Sequence, residues 1–320
     1  MTHQMLGESK VYLTTQCLIG KIGRCGAPVL IEGETGTGKE LAARSIHYGG
    51  ARRDGPFVPV NCGAIPDALV ENELFGHKRG AYTDARNDQT GLVALAAGGT
   101  LFLDEVDSLS SKAQVTLLRF LQDQHYRPLG GNDTRVADVR LITATNANLE
   151  RLAERNAFRR DLYYRLNLLY VRMPSLRERG FDSVLLANHF LRQCAARFGR
   201  DKQLDQATQD WFVRYHWPGN VRELENLVCR EYLLADEPLI HISSPAASQD
   251  ISLLGGHIPK LGFAAAKCRA IAEFERRYLA EALAAAGGNV TRAARLAQKE
   301  RRAFGKLLKK YGVEREERAE

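Results

Sequence analysis

Pro28–Lys39 reads PVLIEGETGTGK, and the rest of the chain is best understood outward from this stretch. Its first five residues are a short apolar run suited to a buried strand, and Lys39–Tyr48 continues as a helical pattern stopped by Gly49-Gly50. Between them, glycines at 33, 36 and 38 let successive backbone N–H groups turn inward around phosphate oxygens. The following helix brings its positive dipole end to the same point. Strand, glycine loop and helix in that order predict a P-loop over Gly33, Glu34, Thr35, Gly36, Thr37, Gly38, Lys39 and Glu40, binding ATP with magnesium. Lys39 supplies a point charge for the outer phosphates. A simple P-loop ends in a hydroxyl that ligates the metal. Glu40 stands there instead, so the metal needs other ligands, or Thr37 if it reaches.

Further strands are expected at Phe57–Asn61, Thr100–Leu103, Val139–Ala144 and Leu168–Met173, with a helix over Lys112–Asp123. Alternation of apolar runs with helical patterns predicts an α/β fold on a largely parallel sheet. Pro59 cannot donate to a ladder, which puts its strand at an edge or a bulge. From about Asp182 the pattern is helical only, over Val184–Phe198, Ala207–Tyr215 and Val221–Leu234. The expected organisation is an α/β unit over 1–174, a helical lid over 175–242, a Ser-, Pro- and Gly-bearing linker over 243–263 and an all-α segment over 264–320.

Gly99–Val106, GTLFLDEV, ends an apolar strand in two acids. Behind a P-loop this places Asp104 as the magnesium ligand and Glu105 as the general base that polarises the attacking water. Asn146, at the end of the next strand, stands where it could orient that water. Arg159 and Arg165 in FRRDLYYR are candidates to neutralise charge developing in phosphoryl transfer, against the bland reading of exposed helix arginines.

Composition bounds the rest. Apolar residues make up 44% and charged residues 26% of the 320, as in ordinary globular proteins, so the chain has the material for a sizeable core. No run approaches a membrane span and no signal-peptide core opens the chain, so a cytoplasmic protein without membrane contact is expected. The six cysteines lack C-x-x-C spacing and are read as reduced and mostly structural. The net charge of +7 is modest, yet eight Lys and Arg face Glu300 alone between Thr291 and Tyr311. Such a block suggests a polyanion partner, although a solvated helix face has the same charge.

Taken together, LGES at Leu6, GETGTGKE, FVPVNC, ELFGHKRGAYTDA, GGTLFLDEV, LLRFLQD, ATN, FRRDLYYRLN, PSLRER and WPGNVRELEN resemble the AAA+ domain of NtrC-like bacterial enhancer-binding proteins, the activators of sigma-54 RNA polymerase. The resemblance runs in order from Leu6 to Asp236, and Glu40 is that family's usual residue. It implies phosphate contacts from Thr37 and Lys39, a switch role for Asn61 through pairing with Glu105, and a first sensor at Asn146. It also implies fingers at Arg159 and Arg165 that reach a neighbour's nucleotide in a hexameric ring, and a second sensor at Arg222. The family often carries a regulatory domain ahead of the ATPase. LGES begins at residue 6 here, so regulation is expected from a separate protein, from expression level or from the ATPase itself.

The family's sigma-54-contacting loop, GAFTGA, corresponds to Gly80, Ala81, Tyr82, Thr83, Asp84 and Ala85. Tyr82 keeps the aromatic, whereas Asp84 adds a Cβ and a negative charge at the tip. Two readings follow: a loop adapted to its own polymerase, or an AAA+ DNA-binding regulator that does not touch sigma-54. The tail, Gly287–Val313, resembles the Fis-type helix-turn-helix. Asn289 or Thr291 would cap its first helix, with Gln298 where a turn glycine is common. The resemblance implies binding to upstream, enhancer-like DNA through Thr291, Arg292, Arg301, Arg302, Lys306, Lys309 and Lys310, and dimerisation through a helix over Lys267–Ala285.

Overall fold

The computed structural model describes residues 5–82 and 85–242, positions 275, 278, 279, 282, 283 and 286, and residues 289–297 and 299–311. The chain divides into two compact units, Met1–Ser244 and Pro245–Glu320.

The first unit opens with α1 (Lys10–Gly23), then β1 (Val29–Glu32), α2 (Lys39–Tyr48), β2 (Phe57–Asn61) and α3 (Val70–Phe75). A two-residue hairpin, β3 (Gly76–His77) with β4 (Gln89–Thr90), brackets the loop at 80–85. It leads into α4 (Leu92–Leu95), β5 (Thr100–Asp104) and α5 (Ser111–Asp123). A second small hairpin, β6 (His125–Tyr126) with β7 (Arg135–Val136), precedes β8 (Arg140–Thr145), α6 (Leu149–Glu154), α7 (Arg160–Leu166) and β9 (Leu169–Arg172). The lid follows as α8 (Asp182–Phe198), β10 (Gln203–Leu204), α9 (Gln206–Arg214), α10 (Asn220–Leu234) and β11 (Leu239–Ile240).

Five strands form one parallel sheet in the order β2-β5-β8-β1-β9. Its inner strands bury both faces, which is why they read as continuous apolar runs rather than alternating ones. Leu30, Leu101, Leu103 and Leu141 pack on one side with Val60, Leu117 and Phe158. Val29, Ile31, Phe102 and Ile142 pack on the other with Ile19, Ala42, Ile46 and Val171. Pro59 lies in the edge strand, as its missing donor requires. The lid has its own core around Leu186, Phe190, Phe212, Trp217, Leu224, Val228 and Tyr232.

The expectation of helices alone beyond Asp182 is corrected by β10 and β11, which pair in parallel. Each is two residues long, too short for any alternating pattern to show in the sequence.

In the second unit, α11 (Val290–Leu296) and α12 (Arg301–Tyr311) enclose Ala293, Ala294, Phe304 and Leu308, joined by Leu279, Leu283 and Ala286. The Asn289 carboxamide accepts from Thr291 N (3.0 Å) and Arg292 N (3.2 Å), so Asn289 rather than Thr291 is the cap. Lys299 N donates to Ala294 O (2.9 Å) across the turn. The expected linker over 243–263 and most of the expected helix over Lys267–Ala285, including Ile271 and Phe274, lie outside the described residues.

Candidate functional site

The glycine loop leaves the carboxyl end of β1, the position at which open parallel sheets gather ligands. Gly33 extends the ladder, its N–H donating to Thr145 O at 3.2 Å. Gly36 (φ +79°) and Gly38 (φ +91°) then turn through left-handed backbone. A Cβ at Gly36 would fall 2.2 Å from Gly219 O, so lid backbone lies directly on the loop. Lys39 is buried, and its Nζ donates to Gly33 O (2.8 Å) and Glu34 O (3.2 Å). Burial draws its ammonium below the usual lysine range, while Asp104, Asp107 and Glu105 pull the other way.

β5 delivers the two acids. Burial raises the Asp104 carboxyl, opposed by the hydrogen bond from Glu105 N (3.0 Å). A desolvated carboxyl of this kind is relieved by an added cation. Glu105 turns the chain at φ +54°, a conformation that non-glycine residues hold at a cost of roughly 1–3 kcal/mol and that concentrates at working sites. Asn61 pairs with Asp104 in the β2–β5 register. Its Oδ1 accepts from Gly63 N (2.8 Å) and caps the short turn at Cys62–Ala64. The space a Cβ on Gly63 would take lies 2.8 Å from Glu105 Oε2 and 3.2 Å from Asn61 Oδ1, so both side chains border one small cleft. No Asn61–Glu105 hydrogen bond forms among the described residues.

Thr35, Gly36, Gly38, Lys39 and Glu40 of the loop meet Asp104, Glu105, Asn146 and the lid's Arg222 around one cavity of about 250 Å³. Asn146 Nδ2 reaches Thr35 Oγ1 at 3.4 Å. Glu40 also pairs with Arg44 one turn along α2 (2.7 Å). An adjoining cavity of about 210 Å³ has apolar walls from Leu6, Tyr12, Leu41, Leu186, Phe190 and Val221 and polar ones from Thr37, Arg179, His189, Gln193 and Glu225.

Three loop residues point elsewhere. Gly33 packs on Met173, and Thr37 is buried with its hydroxyl donated to Glu34 O (2.8 Å), lining the adjoining cavity instead. Glu34 turns its carboxylate to the lid, where Arg177 clasps it in two hydrogen bonds and holds its pKa below the usual carboxylate range. Arg159 and Arg165 do not line the cavity. Arg159 pairs with Asp161 (2.7 Å), and Arg165 donates to Leu121 O (3.3 Å).

Two residues that sequence reasoning missed stand close by. Asn220, fully buried at φ +52°, donates to Glu34 Oε2 (3.1 Å) and Thr35 O (3.0 Å) and accepts from Leu176 N (2.8 Å). Val221 N beside it donates to Gly36 O (3.0 Å). Asp107 accepts from Thr145 Oγ1 (2.5 Å) and adds to the negative field at Lys39.

The loop at 80–85 is pinched at its base. Gly80 N donates to Ala85 O (2.8 Å), and Ala85 N donates to Tyr82 O (2.9 Å). Asp88 ties down Lys78 Nζ (2.5 Å) and Arg79 N (2.8 Å). Tyr82 is exposed and its ring centroid lies 5.0 Å from that of His77, which in turn bonds the buried Asn72 (2.7 Å). Thr83 and Asp84 lie outside the described residues. In the second unit, Thr291, Arg292, Arg301, Arg302, Lys306, Lys309 and Lys310 are all exposed.

A parallel sheet carrying this loop, paired acids at the end of β5 and a helical lid closing on the loop define a P-loop NTPase of the AAA+ class. The chain matches the model described as the sigma-54 interaction domain over residues 5–172, the AAA+ ATPase lid domain over 177–247 and the Fis family of bacterial regulatory proteins over 270–311. It is 41% identical to the response regulator protein PilR of Pseudomonas aeruginosa over 319 residues, covering 98% of this chain and 70% of that protein. It is 39% identical to the DNA-binding transcriptional regulator NtrC of Azospirillum brasilense over 335 residues, covering 97% and 70%. Crystal structures of NtrX from Brucella abortus in complex with ADP and with ATP superpose at TM-scores of 0.75 and 0.74, both at 32% identity. They cover 98% and 97% of this chain against 70% and 69% of theirs. The chain belongs to the sigma-54 interaction family of AAA+ ATPases and carries that family's Fis-type DNA-binding segment.

Proposed function

We propose that this chain binds upstream DNA, hydrolyses ATP within a ring of its own copies, and uses the turnover to open promoters held by sigma-54 RNA polymerase. The observation that carries this reading is the convergence of loop, paired acids, Asn146 and lid arginine on one cavity, in a chain that also has the 80–85 loop. In this reading the loop's N–H groups and Lys39 hold the phosphates, and the adjoining cavity, with apolar walls for a ring face and polar groups for its edge, receives the base. Glu105 accepts the proton of the attacking water, and Asn146 orients that water. Arg222 reports the phosphates to the lid.

The donor set fits magnesium. Asp104 would hold it, with phosphate oxygens and water completing the shell, and the ion would neutralise charge building on the phosphates. The Thr37 hydroxyl donates its proton to Glu34 O, which leaves its lone pairs for the ion. Arg159 and Arg165 stand outside this chain's own cavity, which supports a part in a neighbour's site. Exposed cations on α11 and α12 support DNA contact, Arg and Lys giving affinity and salt dependence.

The test is open-complex formation by sigma-54 polymerase on a promoter bearing this protein's own site. ATP-dependent opening is expected. Intact hydrolysis without opening would overturn the sigma-54 coupling, and recovery on Asp84→Gly would trace that failure to the loop tip.

A further inference from the structure

The lid contains two thiols for which the nucleotide chemistry has no use. Cys194 on α8 and Cys229 on α10 lie with their sulfurs 3.3 Å apart, within reach of an S–H hydrogen bond that either can donate. Both are free thiols. A disulfide bond is about 2.05 Å long, so closure needs little more than ~1 Å of movement. Among the described residues no other two cysteines approach each other this way. Cys194 is buried in the lid core, whereas Cys229 is half-buried and gives a small reagent one sulfur to reach.

The helices that carry these thiols also wall the nucleotide cavities. On α8, Phe190 and Gln193 line the adjoining cavity immediately ahead of Cys194. On α10, Val221, Arg222 and Glu225 border the phosphate cavity, Glu225 one turn ahead of Cys229. Val221 N and the Asn220 carboxamide seat that end of α10 on the glycine loop. Packed interiors do not deform smoothly, so drawing α10 toward α8 moves these seats as well.

We propose that Cys194 and Cys229 are an oxidation site at which a low-molecular-weight disulfide forms a reversible cystine, tying α8 to α10 and weakening nucleotide binding; the second half of this statement rests on the function proposed above. The exchange balances in two steps. The Cys229 thiolate attacks one sulfur of the small disulfide, forming a mixed disulfide and releasing one small thiolate. Cys194 then attacks the Cys229 sulfur and releases the second. The two protein thiols are oxidised, the small disulfide is reduced to two thiols, and the two protons leave with them. Burial, and then the hydrogen bond with Cys194, push the Cys229 thiol up to about 12. The first step is therefore slow at neutral pH and quickens as pH rises.

The full chain would be incubated with oxidised glutathione at pH 7 and pH 9, peptide-mapped by mass spectrometry, and titrated with a fluorescent ADP analogue before and after dithiothreitol. A peptide linking 194 to 229 is expected, forming faster at pH 9. Affinity should fall about tenfold, a usual size for coupling between two sites, and return on reduction. Cys229→Ser and, separately, Cys194→Ala should bind the analogue equally well whether treated or not. Glutathione adducts without the linked peptide, or the linked peptide with unchanged affinity, would overturn the proposal. Reduced protein that fails to bind the analogue would instead sink the nucleotide reading, because the linked peptide is scored independently of binding.

Discussion

Gly33–Lys39 and Gly80–Ala85 are both glycine-bearing loops, yet the structure grips them in opposite ways. The first is held along its length: Gly33 by Thr145, Glu34 by Arg177 and Asn220, the Thr35 carbonyl by Asn220, and the Gly36 carbonyl by Val221. Among its described residues the second is held locally, by the Gly80–Ala85 and Ala85–Tyr82 hydrogen bonds, by the Tyr82–His77 ring contact and by Asp88 beneath. Gly36 and Gly80 have nearly equal φ, +79° and +83°, but a Cβ at Gly36 meets lid backbone whereas one at Gly80 meets nothing within 4 Å. A loop that must present backbone N–H groups is fixed everywhere. The described residues of the second loop are tied by local bonds and by the Tyr82–His77 ring contact instead.

This contrast can be broken experimentally, and the largest effect is expected on the nucleotide side. Glu105→Gln should lower ATP turnover by about 10²–10⁴-fold while nucleotide binding persists, the usual scale for a lost general base. A steady-state assay beside an equilibrium titration checks it, and undiminished turnover would remove Glu105 from that role. Lys39→Ala should weaken nucleotide affinity about 10- to 100-fold, the scale of a charge-assisted hydrogen bond of 1.5–3 kcal/mol, as read by calorimetric titration.

The two glycines give the sharpest pairing. Gly36→Ala should unseat the lid and abolish tight nucleotide binding. Gly80→Ala should leave binding and turnover intact and cost about 1–2 kcal/mol of backbone strain, visible in urea denaturation. Equal effects at both sites would mean that the grips do not differ as described. The smallest change is expected from Asp88→Ala, which frees Lys78 and Arg79 N. ATPase activity should hold while polymerase-dependent opening declines by a few-fold in a promoter-melting assay.

The sheet and the phosphate loop were legible because their signals are local. Apolar runs name buried strands, Pro59 names an edge, and glycine spacing names a cradle. Long-range partners were not legible. Asn220 resembles an ordinary turn residue in WPGNVREL, and its bonds go to positions 44, 185 and 186 residues away. The bond from the Thr37 hydroxyl to Glu34 O, which orients its oxygen, has no signal in the sequence either. The helix α1 went unread because Val11, Thr14, Thr15, Ile19 and Ile22 are β-branched and depress its helical signal, which packing on α2 restores. At Arg159 and Arg165 the difficulty is physical: an arginine proposed to act on another copy would leave no mark in its own chain's cavity.

Asn220 has a further consequence. Its carboxamide gives two hydrogen bonds and accepts one, and its backbone sits in a conformation that most residues resist. A joint of that kind has no slack. Because Leu224, Val228 and Tyr232 seat α10 in the lid core, a displacement of Thr35 would be passed on to the lid as one body rather than absorbed at the joint. Leu233 and Leu234, exposed at the far end of α10, are the positions where a spectroscopic label would report such a displacement without disturbing the joint.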